Sequence, residues 1–379
     1  MLKVAIRMLT GDRAKYFGLI FGIAFATLMM SQQVSIFINI MKRTANQVLD
    51  VRETDIWVMD PRVSYVDEVE PLRDTELYRV RGVPGVRWAA PLYKGLVILR
   101  TPTGLLNQIN LVGVDDSSLV GAPKTWLKGS VESLRQPDAI VFDVQGANFI
   151  WPGQDVPVGR SAEINDHRVV ITGVADVSPP FITFPIAYMK YSDVVRITPP
   201  QRKKMSFVLV KAAPGIAPEA LAQRIAQETG LQALTTRQFM WRSINYYLQR
   251  TGIPVNFSIT VMLGFIVGAA ITAQTFYLFV VENIRQFGAL KAIGTTNTQI
   301  LRMVLVQAGI VGVIGYGLGI GGCAAFFAAT SHLPALEAFG LPWQVMVGTG
   351  VVVAVILALS CIASVRRVFV VDPAIVFRG

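Results

Sequence analysis

The run YFGLIFGIAFATLMMSQQVSIFINIM, residues 16–41, contains no Asp, Glu, Lys or Arg. Three further charge-free runs occupy residues 251–281, 303–336 and 338–365. About 20 consecutive apolar residues suffice to cross a lipid bilayer as a helix, and each run exceeds that length. The chain is 52% hydrophobic and 16% charged, whereas a soluble domain is about 25% charged, which excludes a soluble, secreted or disordered protein. The sequence therefore predicts four transmembrane helices, TM1 to TM4.

The distribution of Lys and Arg predicts how the chain crosses the membrane. Basic residues precede TM1, occupy the loop at 282–302 and follow TM4, whereas the short loop between TM3 and TM4 has none. By the positive-inside rule, both termini and the 282–302 loop are cytoplasmic, and residues 42–250 lie outside. The run at 16–41 is too long for a signal peptide and no small-residue cleavage site follows it, which predicts an uncleaved anchor.

The fold class that follows is a membrane α-helical bundle with a large extracytoplasmic α+β domain inserted between TM1 and TM2. The predicted segments are a cytoplasmic amphipathic helix at 1–15, TM1 at 16–41, the outside domain with a stalk at 42–250, TM2 at 251–281, a cytoplasmic loop at 282–302, TM3 at 303–332, a short outer loop at 333–342, TM4 at 343–365 and a cytoplasmic tail at 366–379. TM2 is predicted to project out of the membrane as the stalk, from the aromatic helical pattern through Phe239 and Tyr247 upstream of it, although an interfacial aromatic belt explains these residues nearly as well.

The outside segment mixes strand and helix signals. Apolar runs at 96–99 and 109–112 flank a Pro-Thr-Gly turn and predict a hairpin. Further strands are predicted at 139–142, 168–171 and 207–210, and a helix is predicted at 218–230. No catalytic arrangement and no metal-ligand cluster is recognisable, and His167 is interpreted as a turn residue. Both cysteines fall inside predicted spans, so the domain contains no disulfide.

The predicted spans carry amides and glycines and no ionisable relay. The amides Gln32, Gln33, Asn39, Gln274 and Gln307 are interpreted as hydrogen-bonding groups between helices, with a substrate contact as the alternative. Small-residue faces for close helix packing are predicted at Gly315, Gly317, Gly319 and Gly321. A G-x-G-x-x-G pattern within TM3 is membrane-embedded and is dismissed as a nucleotide site. Because the chain has no Gly-Lys dipeptide, it has no Walker A loop, and another subunit is expected to supply the energy.

The cytoplasmic loop ENIRQFGALKAIGTTNTQILRMVLVQ, residues 282–307, predicts a short amphipathic helix. Its apolar stripe is Ile284, Phe287, Leu290 and Ile293. Gly294 predicts the end of this helix, and Thr295 or Thr296 is expected to cap the next one. The helix is interpreted either as a tight connection resting on lipid or as a docking surface for a cytoplasmic motor.

A family resemblance begins in this loop. The pattern E-x-x-R-x-x-G-x-L-K-A-x-G is formed by Glu282, Arg285, Gly288, Leu290, Lys291, Ala292 and Gly294. It resembles the signature of MacB/FtsX-like (type VII) ABC transporter permeases, at the same place after the second of four spans. The ending Arg366-Arg367 to Asp372-Pro373-Ala374 is similar to that family's ending, and LVGVD at 111–115 resembles its extracytoplasmic domain. Without a fused ATPase, the chain is most similar to DevC-type and haem-exporter-like members.

The resemblance implies a function and a set of partners. Such a permease works as a dimer in the bacterial inner membrane, and each copy pairs with a separate cytoplasmic ABC ATPase that binds ATP and Mg. This chain then needs no cofactor and is not itself an enzyme. ATP-driven motion passes through the stalk to the outside domain, which is mechanotransmission. The expected result is export of a lipid, glycolipid, drug or haem-like substrate with a periplasmic adaptor and an outer-membrane duct. Membrane lipid surrounds the spans, and no block of basic residues suggests nucleic acid.

The resemblance also implies which residues contact the ATPase. The coupling set is Glu282, Arg285, Gly288, Leu290, Lys291 and Gly294, and a second contact is Arg366, Arg367, Asp372 and Pro373. Two related functions stay open: ATP-driven signalling to an external cell-wall hydrolase, and lipoprotein extraction. The 209 residues at 42–250 weigh against signalling, whose members have smaller outside domains. A secondary transporter driven by an ion gradient is a further alternative.

Overall fold

The structure is a computed structural model that describes residues 13–182, 184–199, 205–333, 336 and 339–370. For residues 13, 15 and 366–370 it describes the backbone alone, so most of the helix predicted at 1–15 and of the tail at 366–379 lies outside the described residues. The described chain forms two compact units. The helical unit comprises residues 13–39 and 252–370, and the α+β unit comprises Ile40–Thr251.

Ten helices are found among the described residues. They are α1 (Arg13–Leu49), α2 (Asp74–Arg81), α3 (Val144–Ile150), α4 (Tyr191–Ile197), α5 (Pro218–Thr229), α6 (Thr236–Arg250), α7 (Ile253–Glu282), α8 (Ile284–Ala292), α9 (Asn297–Thr330) and α10 (Trp343–Val370). The strands of the same residues are β1 (Ile56–Met59), β2 (Val86–Arg100), β3 (Leu106–Val114), β4 (Thr125–Lys128), β5 (Ala139–Asp143), β6 (Ser161–Ile164), β7 (His167–Asp176), β8 (Ile186–Lys190), β9 (Phe207–Ala212) and β10 (Gln232–Thr235).

The helical unit contains segments of α1, α7, α9 and α10 that are long and apolar enough to cross a membrane. Their mean hydropathy is 1.6, 1.9, 1.9 and 2.6, respectively. The apolar stretch of α1 runs from Tyr16 to Leu49, because the helix continues past the predicted TM1 through Lys42 and Arg43. Four membrane-length helices together with an α+β domain confirm the predicted fold class.

The α+β unit is built on a mixed sheet whose strand order is β10-β1-β9-β2-β3-β8-β5-β7-β4, with β6 pairing to β2 and β7. The predicted hairpin is confirmed: β2 and β3 pair antiparallel, and Gly104 takes a left-handed φ of 85° at the turn. The strands predicted at 139–142, 168–171 and 207–210 lie within β5, β7 and β9. The predicted helix is α5, which begins at Pro218 and is followed by Gly230 at a left-handed φ of 70°.

One local prediction in this unit is wrong. The sequence predicts His167 as a turn residue, but it begins β7 and pairs with Ile164. The left-handed turn positions are the two preceding residues, Asn165 at φ 48° and Asp166 at φ 64°. Asn and Asp tolerate this conformation better than other non-glycine residues, which places the turn there and leaves His167 in the strand.

The predicted stalk is a helix separate from TM2. The helix α6 starts at a capping box in which Thr235 and Gln238 bond each other's backbone amides, and it ends before the extended residue Thr251. A new helix, α7, begins at Ile253 with Pro254 in its first turn, where a missing amide hydrogen is tolerated. Phe239 is fully buried beside Trp57, with ring centroids 5.5 Å apart, so packing within the α+β unit accounts for this aromatic residue.

Candidate functional site

The short helix α8 is held by an apolar side that packs into the helical unit. Phe287 is fully buried and belongs to the same apolar cluster as Phe279 and Ile300, and Leu290 packs against that cluster. Ile284 is half-buried, but Ile293 is 84% exposed. The predicted four-residue stripe is therefore correct for three residues and wrong for Ile293, because the helix ends at Ala292 and the chain turns away immediately afterwards.

The end of α8 is a Schellman motif. The Gly294 amide donates to the Lys291 carbonyl at 2.9 Å, and the Thr295 amide donates to the Leu290 carbonyl at 3.0 Å. Gly294 takes a left-handed φ of 101°, which confirms it as the helix stop. Of the two threonines considered as the next cap, Thr296 takes the position. It forms a capping box with Gln299 at the start of α9.

Gly294→Ala is expected to lower the free energy of opening of this turn by about 1–2 kcal/mol, because an L-residue is strained in a left-handed conformation. A Cβ at Gly294 would meet no atom within 4 Å, so backbone strain is the sole expected cost. Amide hydrogen exchange at 290–296 should speed up accordingly, by roughly tenfold. Gly309→Ala, in the middle of α9 with equally open space, is the control and should leave exchange in the turn unchanged.

The residues predicted to couple to an ATPase differ in their exposure. Glu282, Arg285 and Gly294 are exposed, whereas Gly288 is buried and Leu290 and Lys291 are half-buried. The outward side of the loop also presents residues absent from the predicted set: Gln286, Ala292, Ile293 and Thr296. We call Arg285, Gln286, Ala292, Ile293 and Thr296 the loop surface. Gly288 therefore lies on the buried side of α8 and not on the side that a partner could touch.

The second predicted contact cannot be placed. The backbone of Arg366 and Arg367 lies in α10, but their side chains, and Asp372 and Pro373 altogether, lie outside the described residues.

The glycine faces of α9 behave differently from each other. A Cβ at Gly315 would lie 2.8 Å from the Ile23 Cβ, and one at Gly319 would lie 2.5 Å from the Thr27 Cβ, so both glycines pack against α1. At Gly317 and Gly321, a Cβ would meet nothing within 4 Å. These two glycines therefore make no close contact within the described chain, and the packing predicted for their face stays a prediction.

Other small residues and one amide complete the helix contacts. On α7, a Cβ at Gly268 would overlap the Ala26 Cβ of α1. The Asn39 amide nitrogen donates to the Gly340 carbonyl at 2.8 Å, which joins α1 to the segment before α10. Gln307 is fully buried, whereas Gln274 is exposed on α7. Among the described amides, Asn39 provides a hydrogen bond between separate segments of the kind that the sequence predicts for the spans.

The α+β unit contains a buried ionic group that sequence reasoning missed. The Lys94 ammonium on β2 is 7% exposed and donates to Asp67 Oδ1 at 2.5 Å, to the Val66 carbonyl at 2.9 Å and to Gln47 Oε1. Burial lowers the pKa of Lys94, and the adjacent Asp67 carboxylate acts in the opposite direction. Because Gln47 lies in α1, this group ties the end of that helix to the sheet.

Two residues near Gln47 make further hydrogen bonds to the α+β unit. The Asn46 side chain donates to the Pro179 carbonyl at 2.8 Å. The Asp50 carboxylate, just after the helix, accepts from the Ser178 hydroxyl at 2.8 Å and from its amide at 3.0 Å. Burial raises the pKa of Asp50. Three positions within one turn of chain thus anchor the end of α1 in the α+β unit.

Among the described residues, no group of three His, Cys, Asp or Glu side chains could hold a metal ion.

Two family models match this chain, and together they span most of it. Residues 16–228 match the MacB-like periplasmic core domain, and residues 258–373 match the FtsX-like permease C-terminal domain. An uncharacterized ABC transporter permease of Mycobacterium tuberculosis (strain H37Rv) is 23% identical over 369 residues, covering 96% of this chain and 93% of the relative. A second permease of that strain is 24% identical over 311 residues, covering 82% and 80%.

Solved structures with similarity include two isolated domains. The periplasmic region of MacB from Actinobacillus actinomycetemcomitans is 12% identical with a TM-score of 0.38, covering 53% of this chain and 97% of that one. The extracellular domain of the ABC-type transporter YknZ from Gram-positive bacteria is 14% identical with a TM-score of 0.35, covering 48% and 98%.

Proposed function

The chain belongs to the family of ABC transporter permeases that combine a MacB-like periplasmic core domain with an FtsX-like permease domain, and we propose that it is the permease subunit of an exporter that works by mechanotransmission. An ABC permease implies a partner ATPase. In this proposal a separate cytoplasmic ATPase docks on the loop surface, and its ATP-driven motion is transmitted to the α+β unit outside the membrane. A second permease copy, a periplasmic adaptor and an outer-membrane duct complete the assembly. The exported substrate is amphipathic or hydrophobic.

The observation that carries this proposal is the two-sided character of α8. Its apolar side is fixed by Phe287, so a force applied to the helix is delivered to the bundle and is not lost in a flexible loop. Its outer side presents the cation Arg285 and, at the turn, the apolar side chain of Ile293. Arg residues and desolvated apolar side chains are frequent binding hot spots, so this pairing suits a protein groove.

The anchoring of α1 supports transmission within the α+β unit. Gln47 bonds to Lys94 of β2 and Asp50 bonds to Ser178 in the loop after β7, so a displacement of the helix end would be passed to both segments of the unit. The charge-free runs of the spans support the same proposal, since they supply no Asp, Glu, Lys or Arg for a proton or ion pathway. The size of the outside segment favours export over signalling.

The test is recovery of the ATPase with the tagged permease from native membranes in mild detergent. Arg285→Glu combined with Ile293→Asp should reduce recovery by about thirtyfold or more, which corresponds to the loss of one hot spot of about 2 kcal/mol. Both side chains are exposed, so the variant should remain monodisperse. Arg87→Glu, the same charge change at an exposed position of the α+β unit, is the control.

The outcomes separate the alternatives. Undiminished ATPase recovery with the double variant would contradict docking on the loop surface. Recovery of a hydrolase and no adaptor with the wild-type chain would favour signalling, and recovery of a lipoprotein carrier would favour extraction. Absence of any ATPase from the wild-type preparation would contradict the proposal as a whole.

A further inference from the structure

A cavity of about 390 Å³ lies in the α+β unit beside β2 and β3. Its volume is within the range of small-molecule sites in proteins, roughly 300–1,000 Å³. Lys94 and Asp67 lie at its polar end, and Leu96, Ile182 and Phe184 contribute apolar wall. The proposed docking of an ATPase does not use this cavity, so its chemistry can be considered separately.

Asn110 on β3 is the informative side chain of the cavity. It is 8% exposed, and its register partner across the hairpin is Leu96, so the two side chains lie on the same face of the sheet as Lys94. Its neighbours Ile109 and Leu111 point to the opposite face and are fully buried. Within the described part of the chain, the Asn110 side-chain amide makes no hydrogen bond, although its backbone amide donates to the Pro185 carbonyl.

Although the residue is nearly buried, the polar atoms of the Asn110 carboxamide keep access to the cavity that it lines, so they are available to bond a molecule that enters it. An amide both donates and accepts, so its natural complement is a group that does the same, namely another amide or a hydroxyl. Asn110 therefore indicates the type of polar group that the cavity would receive.

The charged residues of the cavity indicate what it would not receive. The three hydrogens of the Lys94 ammonium are directed to Asp67, to Val66 and to Gln47. The pair formed by Lys94 and Asp67 is neutral overall, and an added charge would compete with it at the cost of desolvation. The cavity therefore favours an uncharged ligand.

Apolar surface extends outward from the mouth of the cavity. Leu96 and Ile182 are each 40% exposed. Ile98 follows Leu96 on the same face of β2 and is 55% exposed, and Leu106, near the hairpin turn, is 67% exposed. Leu96, Ile98 and Leu106 form an apolar track that could shield a hydrocarbon chain from water, at about 25 cal/mol for each Å² covered.

We propose that this cavity binds an uncharged amphipathic molecule, with an amide or hydroxyl head on Asn110 and its hydrocarbon chain along the apolar track. This assignment rests on the proposed function in one respect, which is that the bound molecule is taken to be the exported substrate. Binding itself requires no ATPase, so a failure of this site and a failure of ATPase coupling can be told apart.

The experiment uses protection of an engineered thiol in the full chain in lipid nanodiscs. Leu96→Cys places a thiol at the cavity mouth, and both native cysteines, Cys323 and Cys361, are buried in the helical unit. The probe is decanamide, which is neutral and carries an amide head. Saturating decanamide should slow maleimide labelling of Leu96→Cys by about fivefold or more, whereas the thiol of Leu127→Cys, 57% exposed outside the cavity, should react at an unchanged rate.

Variants of Asn110 test the polar contact. In the Leu96→Cys background, Asn110→Leu should raise the decanamide concentration that gives half-protection by about tenfold, which is the effect of losing one or two hydrogen bonds. Asn110→Asp keeps the shape of the side chain but adds a charge, and it should weaken protection as well. This second variant keeps the test available if the leucine variant folds poorly. Decanoate, the anionic analogue, should protect less than decanamide in the parent.

Three results would overturn the assignment. The first is unchanged labelling of Leu96→Cys at saturating decanamide. The second is equal slowing at Leu127→Cys, which would show a general effect of the amphipath on the membrane. The third is equal protection in folded Asn110 variants and their parent, which would show apolar adsorption without the proposed head-group contact.

Discussion

Lys94→Met is expected to destabilise the α+β unit by about 3–5 kcal/mol, because it leaves the Asp67 carboxylate buried without its cation. Asp67 is 10% exposed, so water cannot readily replace the lost ammonium. Gln47 and the Val66 carbonyl would lose their donor as well. The measurement is amide hydrogen exchange of β2 and β9 in the full chain, which reports the free energy of opening of that unit.

Two further variants distinguish a buried pair from an ordinary surface contact. Removing both charges with Lys94→Met and Asp67→Leu should restore most of the lost stability, because apolar replacement of a buried ion pair is often neutral or stabilising. Lys128→Met breaks an exposed ion pair with Asp155 at 3.0 Å and should change the free energy of opening of the α+β unit by less than about 1 kcal/mol. A double variant as unstable as Lys94→Met alone would contradict the assignment of the cost to an unpaired carboxylate.

Gly319→Ala is expected to destabilise the helical unit by about 2–3 kcal/mol through overpacking. The added methyl would lie 2.5 Å from the Thr27 Cβ and 2.6 Å from the Ala24 carbonyl oxygen. The oxygen belongs to the backbone of α1, so no side-chain rotation can relieve the overlap and the two helices must move apart. The expected observation is a lower midpoint of thermal unfolding of the purified chain in mild detergent.

Gly317→Ala provides the matched control two residues away on the same helix. Its new methyl would meet no atom within 4 Å, and alanine is the better helix former, so the variant should be neutral or slightly more stable. Equal destabilisation by the two substitutions would contradict the assignment of α1 to the face of α9 that carries Gly315 and Gly319.

Local patterns predicted the features whose cause is itself local. The turn between β2 and β3 follows from Pro102-Thr103-Gly104 with apolar runs on each side, and the end of α8 follows from a glycine able to adopt a left-handed φ. The membrane helices follow from the absence of charge over lengths that exceed the bilayer thickness. In each case the physical preference is decided within about one helical turn, one hairpin or one span.

The glycines of α9 show where such patterns stop being sufficient. Gly315 with Gly319 and Gly317 with Gly321 are identical small-xxx-small pairs in the sequence, yet in the structure the first pair contacts α1. The choice depends on the rotation of α9 about its axis, which is set by its packing against α1 and α10. Ile293 is similar, because its spacing places it in the stripe of α8 but the Schellman turn exposes it.

Charge patterning and local motifs were enough to predict the membrane class, the four spans, the inserted α+β domain and, through the loop after TM2, the family. The tertiary structure alone decided which side of α8 faces outward, that Lys94 meets Asp67 across 27 residues of chain, and that Asn110 lies beside Leu96 in a cavity. The physical reason is the range of the interactions. Hydrophobicity and backbone preference act on neighbouring residues, whereas burial, ion pairing and unsatisfied hydrogen bonds depend on strand register and helix rotation, which only the folded chain fixes.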